Sequence, residues 1–178
     1  MVLVSLIAVI IATMLLMGMP FGIARLEEIT GGAGILDNSF LYTPEEAYAV
    51  LITLGDAGRA FDLTHIVPLD FIFPFTYTFA SVLVISWVLN RWLPDRSPWH
   101  MANLVPILWG GMDYLENTGI IVMLLCWPAR LYTVASVTGI VSFLKVMFCI
   151  VSVLILFGAV TGWILTCIRA RCQRNPVA

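Results

Sequence analysis

Four stretches of this chain, near residues 1–19, 68–90, 101–126 and 143–168, are long and apolar enough to cross the hydrocarbon core of a bilayer. Such a crossing takes about 20 residues at about 1.5 Å each. A segment immersed in lipid must satisfy its backbone polar groups internally. The chain is therefore predicted to be an all-α, antiparallel bundle of four transmembrane helices forming one membrane domain. With 61% hydrophobic and 11% charged residues, it stands far from the soluble average of about 25% charged. The first stretch has neither a basic leader nor a small-residue cleavage site, so it is taken as a retained helix. Residues 127–168 are too long for one crossing, and Pro128 and Gly139 are expected to interrupt them. That leaves a short re-entrant or interfacial helix ahead of the last span.

The Lys and Arg residues set the orientation. Arg91, Arg96, Arg169, Arg171 and Arg174 are five of the nine basic residues, and all fall on one side of the four spans, which is therefore cytoplasmic. Both termini share that side, in what is expected to be a bacterial inner membrane. Seven of the eleven acids lie between Glu27 and Asp62, so the connection between the first two spans is the polar, extracytoplasmic part. Cys126, Cys149, Cys167 and Cys172 form no CxxC pair, which argues against a thiol oxidoreductase. Cys126 and Cys149 fall toward the same face and admit a bridge, although a buried cysteine more often packs as a small hydrophobe. Trp92, Trp99, Trp127 and Trp163 lie near span ends and read as interfacial anchors.

The outer connection, about 43–66, has clear helical punctuation. Thr43-Pro44-Glu45-Glu46 is an N-cap, a first-turn proline and a capping-box glutamate. Gly55 is expected to end that helix, and Asp56 to cap a second one running to Ile66, with Pro68 opening or kinking the next span. Arg59, Asp62 and His65 recur every three residues, so they share a face that could lie over the mouth of an intramembrane cavity. Gly31-Gly32-Ala33-Gly34 is a turn rather than a phosphate cradle, because no GK[ST] follows it. There is no basic patch for nucleic acid. His65, Asp62 and Asp70 could supply metal ligands, but no HExxH or paired-histidine spacing occurs, so neither a metal nor another cofactor is expected.

Ionisable side chains inside spans are costly and are by default candidate sites. Asp113, Glu116 and Asn117 stand at i, i+3 and i+4 on one face of the third span, with Gly110 a turn away to admit another helix. Asp70 and Tyr77 share a face of the second span, with Pro74 between them to widen the helix and free a carbonyl. Ser142 and Lys145 lie at comparable depth on the fourth. Three carboxyls facing one ammonium in low dielectric cannot all ionise comfortably, so at least one of Asp113 and Glu116 is expected to be protonated at neutral pH.

Asp70-x-x-Phe73-Pro74-x-x-Tyr77, Asp113-x-x-Glu116-Asn117 and Lys145 together resemble a family of small, largely uncharacterised four-helix membrane proteins found mainly in bacteria. The resemblance spans roughly Tyr42 to Lys145. It implies the four-helix architecture and attaches no activity. Four-helix sterol isomerases and their ligand-binding relatives are similar in size and in carrying acids inside the bundle, but their motif order differs, so the likeness is one of architecture.

Three functions follow as expectations. In the first, a pocket open to the outer face binds or transforms a lipid-like, isoprenoid or sterol-like molecule. Asp113 or Glu116 then donates a proton, Asp70 or Tyr77 assists, and Asn117, Lys145, Arg59, Asp62 and His65 hold the ligand. The second is a proton-coupled carrier or channel subunit, which as a four-span chain would need a homo-oligomer to form a pore. The third is an assembly protein whose polar groups hold helices together, with membrane lipids as its other partners.

Overall fold

A computed structural model describes residues 1–18 and 21–174, excluding the side chains of Asn38, Cys172, Gln173 and Arg174. The end of the first expected span, at position 19, thus lies outside the described residues. Those described are helical and carry no strand. In order they form α1 (Val2–Met17), α2 (Ile23–Thr30), a 3-10 turn (Leu36–Asn38), α3 (Pro44–Phe61), a π turn (Asp62–Ile66), α4 (Val67–Leu89), a 3-10 stretch (Pro98–Asn103), α5 (Leu104–Leu125) and α6 (Tyr132–Arg174). Among the described residues, two helical stretches are long and apolar enough to cross a membrane: the run Pro44–Leu89, kinked at Gly55, and Tyr132–Arg171 of α6. The sixteen-residue α1 is apolar but shorter.

The start of α3 follows from its sequence. Thr43 Oγ1 accepts the Glu46 N–H at 3.3 Å, and Glu46 Oε2 accepts the Thr43 N–H at 2.7 Å, closing the capping box. Thr43→Ala is expected to remove about 1 kcal/mol of stability. Denaturant titration in micelles would register this as a lower midpoint, with Thr43→Asn close to wild type. Gly55, at φ +62°, breaks the helical run as expected, because this left-handed backbone is open to glycine at little cost. The chain does not stop at Pro68, however. It widens into the π turn, where the Val67 N–H reaches the Asp62 carbonyl, and Pro68 follows with no N–H to lose. The outer helix and α4 are therefore continuous.

A second expectation is corrected further on. α5 ends at Leu125, and the turn after it contains Pro128, as anticipated. Gly139 interrupts nothing. It lies inside α6, a single helix of 43 residues, so there is no separate re-entrant helix. Its lack of a side chain serves packing instead: a Cβ there would overlap the carbonyl oxygen of Tyr42. Glycines also bring the other helices together. A Cβ at Gly110 would run into Thr78 of α4, and one at Gly119 into Thr138 of α6.

α5 packs along α6 and α4, and α1 packs against α4. One buried cluster, including Tyr48, Leu51, Met123 and Ala135, joins α3 to the adjoining ends of α5 and α6. There the Leu131 N–H donates to the Tyr48 hydroxyl at 2.5 Å. Another cluster, of Ile85, Val88, Leu89 and Ala159, joins the end of α4 to α6. Cys126, Cys149 and Cys167 are free thiols. Beneath α3, the connection 31–43 runs down against α5 and α6, and this places an acid that the helical spacing alone does not reveal.

Candidate functional site

Lys145 is the centre of the site. Its Nζ lies 2.5 Å from Asp37 Oδ1, 2.6 Å from Glu116 Oε2 and 3.5 Å from Asp113 Oδ1. A further donation goes to the Asp37 carbonyl at 3.4 Å. Three N–H donors on one ammonium suit such a divided arrangement. Asp113 Oδ2 takes the Tyr77 hydroxyl proton donor at 2.6 Å, so α4, α5 and α6 meet in one connected polar group. Glu116 is fully buried, and its Oε1 accepts no hydrogen bond from the protein.

The helices deliver these groups by a readable logic. Pro74 cannot donate to the carbonyl four residues back, that of Asp70. Asn117 Nδ2 of α5 donates to it instead, at 3.0 Å. The neighbouring Phe71 carbonyl accepts the Tyr114 hydroxyl at 2.8 Å. The proline thus turns α4 into an acceptor edge that α5 reads with two side chains spaced i, i+3. Asp113 and Glu116 share that same α5 face and are thereby held toward Lys145. Ser142, one turn before Lys145, donates to the Ser39 carbonyl at 2.8 Å and ties down the connection that carries Asp37.

The three residues of the stripe expected over the cavity mouth take different surroundings, and the π turn shifts the helical phase between Asp62 and His65. Only Asp62 turns inward, buried at 5% exposure. Arg59 instead donates to the Leu51 carbonyl at 2.5 Å, pairs with Asp56 and covers the Trp127 ring at 4.3 Å. His65 stacks on Phe61, with ring centroids 4.4 Å apart, and its Nδ1 lies 2.8 Å from Thr64 Oγ1. Neither residue reaches Lys145. Asp70 is buried beside the cluster, with Oδ1 taking no hydrogen bond from the protein.

Two participants come from the irregular connection. Asp37 completes the shell around Lys145, and Tyr42 is buried beside it. Burial pushes the Tyr42 phenol above the usual tyrosine range, with the charge of Glu116 adding to the effect. The available signal is chemical rather than periodic: one lysine among acids in apolar segments calls for a countercharge, and Asp37 sits in the apolar context Ile35-Leu36.

Asp37, Asp113 and Glu116 offer oxygens within 4.8 Å of one another, a spacing that could hold a metal ion. Lys145 already places its ammonium among them. Next to this cluster is a cavity of about 10 Å³, lined by residues that include Asp37, Asp62, Asp70 and Asn117. That is room for about one water-sized species. Larger spaces are apolar grooves elsewhere, such as one of about 430 Å³ along α4 and α5 between Pro74, Thr78, Ile107 and Tyr114. The arrangement can exchange protons among Asp37, Lys145, Glu116, Asp113 and Tyr77, and can hold very small species. No family model, curated protein or solved structure matches this chain.

Proposed function

We propose that this chain is a four-span integral membrane protein, antiparallel in topology, whose buried acid–lysine cluster binds protons from the outer side and couples them to movement of a small solute. The observation that carries this reading is the Lys145 ammonium held by three carboxylates at 2.5, 2.6 and 3.5 Å, beside a cavity of about 10 Å³. A group so enclosed handles protons and small ions, whereas a bulky ligand would first have to displace the 35–43 connection. The outward-facing apolar residues of α4 and α6, among them Ile72, Phe75, Leu154 and Phe157, favour a lipid environment. The charge bias toward Arg91, Arg96, Arg169 and Arg171 supports cytoplasmic termini in a bacterial-type inner membrane.

Proton access is one-sided in this reading. Asp37 is the most exposed acid of the cluster, at 19% of its side chain, and Tyr77 forms the other end against Trp109, with ring centroids 4.0 Å apart. A carrier that exposes a proton site to one side at a time needs this closure. The test is reconstitution into liposomes containing a pH-sensitive dye, with a panel of amines, amino acids, sugars and inorganic ions supplied outside. At least one solute should drive a lumenal pH change in wild type, and the Asp113→Asn, Glu116→Gln variant should fall to the rate of empty liposomes. A panel that moves no protons in wild type defeats the proposal.

A second reading, binding or acid/base conversion of a lipophilic molecule, is favoured by the apolar groove beside Tyr114 and Thr78. Native mass spectrometry of gently purified protein separates the two. A specific lipophile lost from the double variant supports a ligand pocket, and bulk phospholipid alone in both proteins counts against it.

A further inference from the structure

Toward the arginine-bearing end of α6 lies an apolar groove, the largest among the described residues, with a volume of about 600 Å³. It runs between α6 and residues 92–102, with Trp92, Pro98 and Trp99 on one side and Val151, Leu154 and Gly158 on the other. Its size falls within the range of about 300–1,000 Å³ taken by small-molecule sites. Trp92 packs directly on α6 at Gly162, where a Cβ would come within 2.6 Å of the indole ring.

Charge around this groove is one-sided. The end of α4 packs against α6 at Ala159, so Arg91, Arg96, Arg169 and Arg171 share one end of the fold, and Asp95 is the single acid there. Among the described residues, none of these four arginines forms an ion pair, with Asp95 or with any other acid. Arg91 lies 4.2 Å from the Trp87 ring centroid and 5.6 Å from that of Trp163, contacts with ring faces that leave its N–H donors for an oxyanion. Arg96 is exposed in the turn that leads into Pro98 at the groove wall. An apolar slot rimmed by indoles and unpaired arginines matches the two halves of a phospholipid.

We propose that this groove holds one acyl chain of an anionic phospholipid, with Arg91 and Arg96 binding the phosphate. The acyl chain lies along Leu154 and Gly158, and Trp92 and Trp99 flank the headgroup level, where indoles settle in bilayers. A zwitterionic lipid with the same chains fills the groove but brings its own cation to the arginines, so headgroup charge sets the preference. The proposal rests on the membrane-spanning reading and is independent of proton-coupled movement.

The test is native mass spectrometry of detergent-purified protein titrated with dioleoyl phosphatidylglycerol or dioleoyl phosphatidylcholine. An arginine near the headgroups contributes about fivefold in affinity for an anionic lipid, so wild type should prefer phosphatidylglycerol about 25-fold. Arg91→Gln combined with Arg96→Gln should bring that ratio to about one. A Cβ at Gly158 meets nothing within 4 Å, so Gly158→Leu fills the groove without displacing protein. By excluding about two methylenes it should weaken both lipids about tenfold. Equal wild-type affinity for the two lipids overturns the proposal, and that comparison decides even if a variant fails to fold. Undiminished lipid binding in Gly158→Leu also overturns it. Lipid-free dimers of wild type that vanish in Gly158→Leu would overturn it too, giving the groove to a second copy of the chain. Release of the protein from membranes by alkaline carbonate would instead defeat the membrane-spanning reading, which keeps the two failures distinct.

Discussion

Lys145→Met is expected to destabilise the protein by about 3–5 kcal/mol, the range for removing one partner of a buried ion pair. The substitution nearly preserves volume and removes the single ammonium that serves Asp37, Glu116 and Asp113 at 2.5, 2.6 and 3.5 Å. Asp113 and Glu116 are buried, and the three acids would have no other countercharge at hand. Urea or thermal unfolding in micelles measures the loss. Neutralising one acid in the same chain, as in Lys145→Met with Glu116→Gln, should recover part of it, giving a coupling energy that separate surface sites would not show. A Lys145→Met protein as stable as wild type would mean that water reaches the acids freely, and the enclosed-site description would fail.

Gly139→Ala should have the next largest effect, about 1–3 kcal/mol, from overpacking a close backbone approach. The added methyl would overlap the Tyr42 carbonyl oxygen. Backbone cannot rotate away as a side chain can, so the 39–43 connection must move from α6. Hydrogen exchange by mass spectrometry should then show faster exchange at amides 39–43, including those near Ser39, whose carbonyl is otherwise held by Ser142 at 2.8 Å. Unchanged exchange there would remove Gly139 as the seat of that connection. Gly158, where a Cβ meets nothing within 4 Å, is a matched control in the same helix.

The parts legible in the sequence are those governed by short-range periodicity. Asp113, Glu116 and Asn117 at helical spacing fixed which face of α5 turns inward, and Pro74 announced the carbonyl that Asn117 now satisfies. Thr43 and Glu46 announced the α3 start. Arg59, Asp62 and His65 take different surroundings: Arg59 turns to Leu51, Asp56 and Trp127, Asp62 is buried, and His65 lies inside the π turn stacked on Phe61, and no composition rule marks where a helix will widen. Gly139 carried a breaker's signal, but close packing against Tyr42 outweighed its weak helix propensity of about 1 kcal/mol. Asp37 was overlooked because it lies on irregular chain, where depth cannot be counted from a helical rise; only the long-range contact with Lys145, 108 positions away, gives it a place.

The 43-residue α6 has a mechanical implication. At about 1.5 Å per residue it is a rod of about 64 Å, roughly twice the hydrocarbon thickness of a bilayer. Near one end it touches the outer connection through Gly139 and Ser142, it carries Lys145 about 20 Å from its start, and it continues toward Arg169 and Arg171. A small tilt at the charged cluster would swing the distal, arginine-bearing tip through a larger arc, as a lever does about its fulcrum.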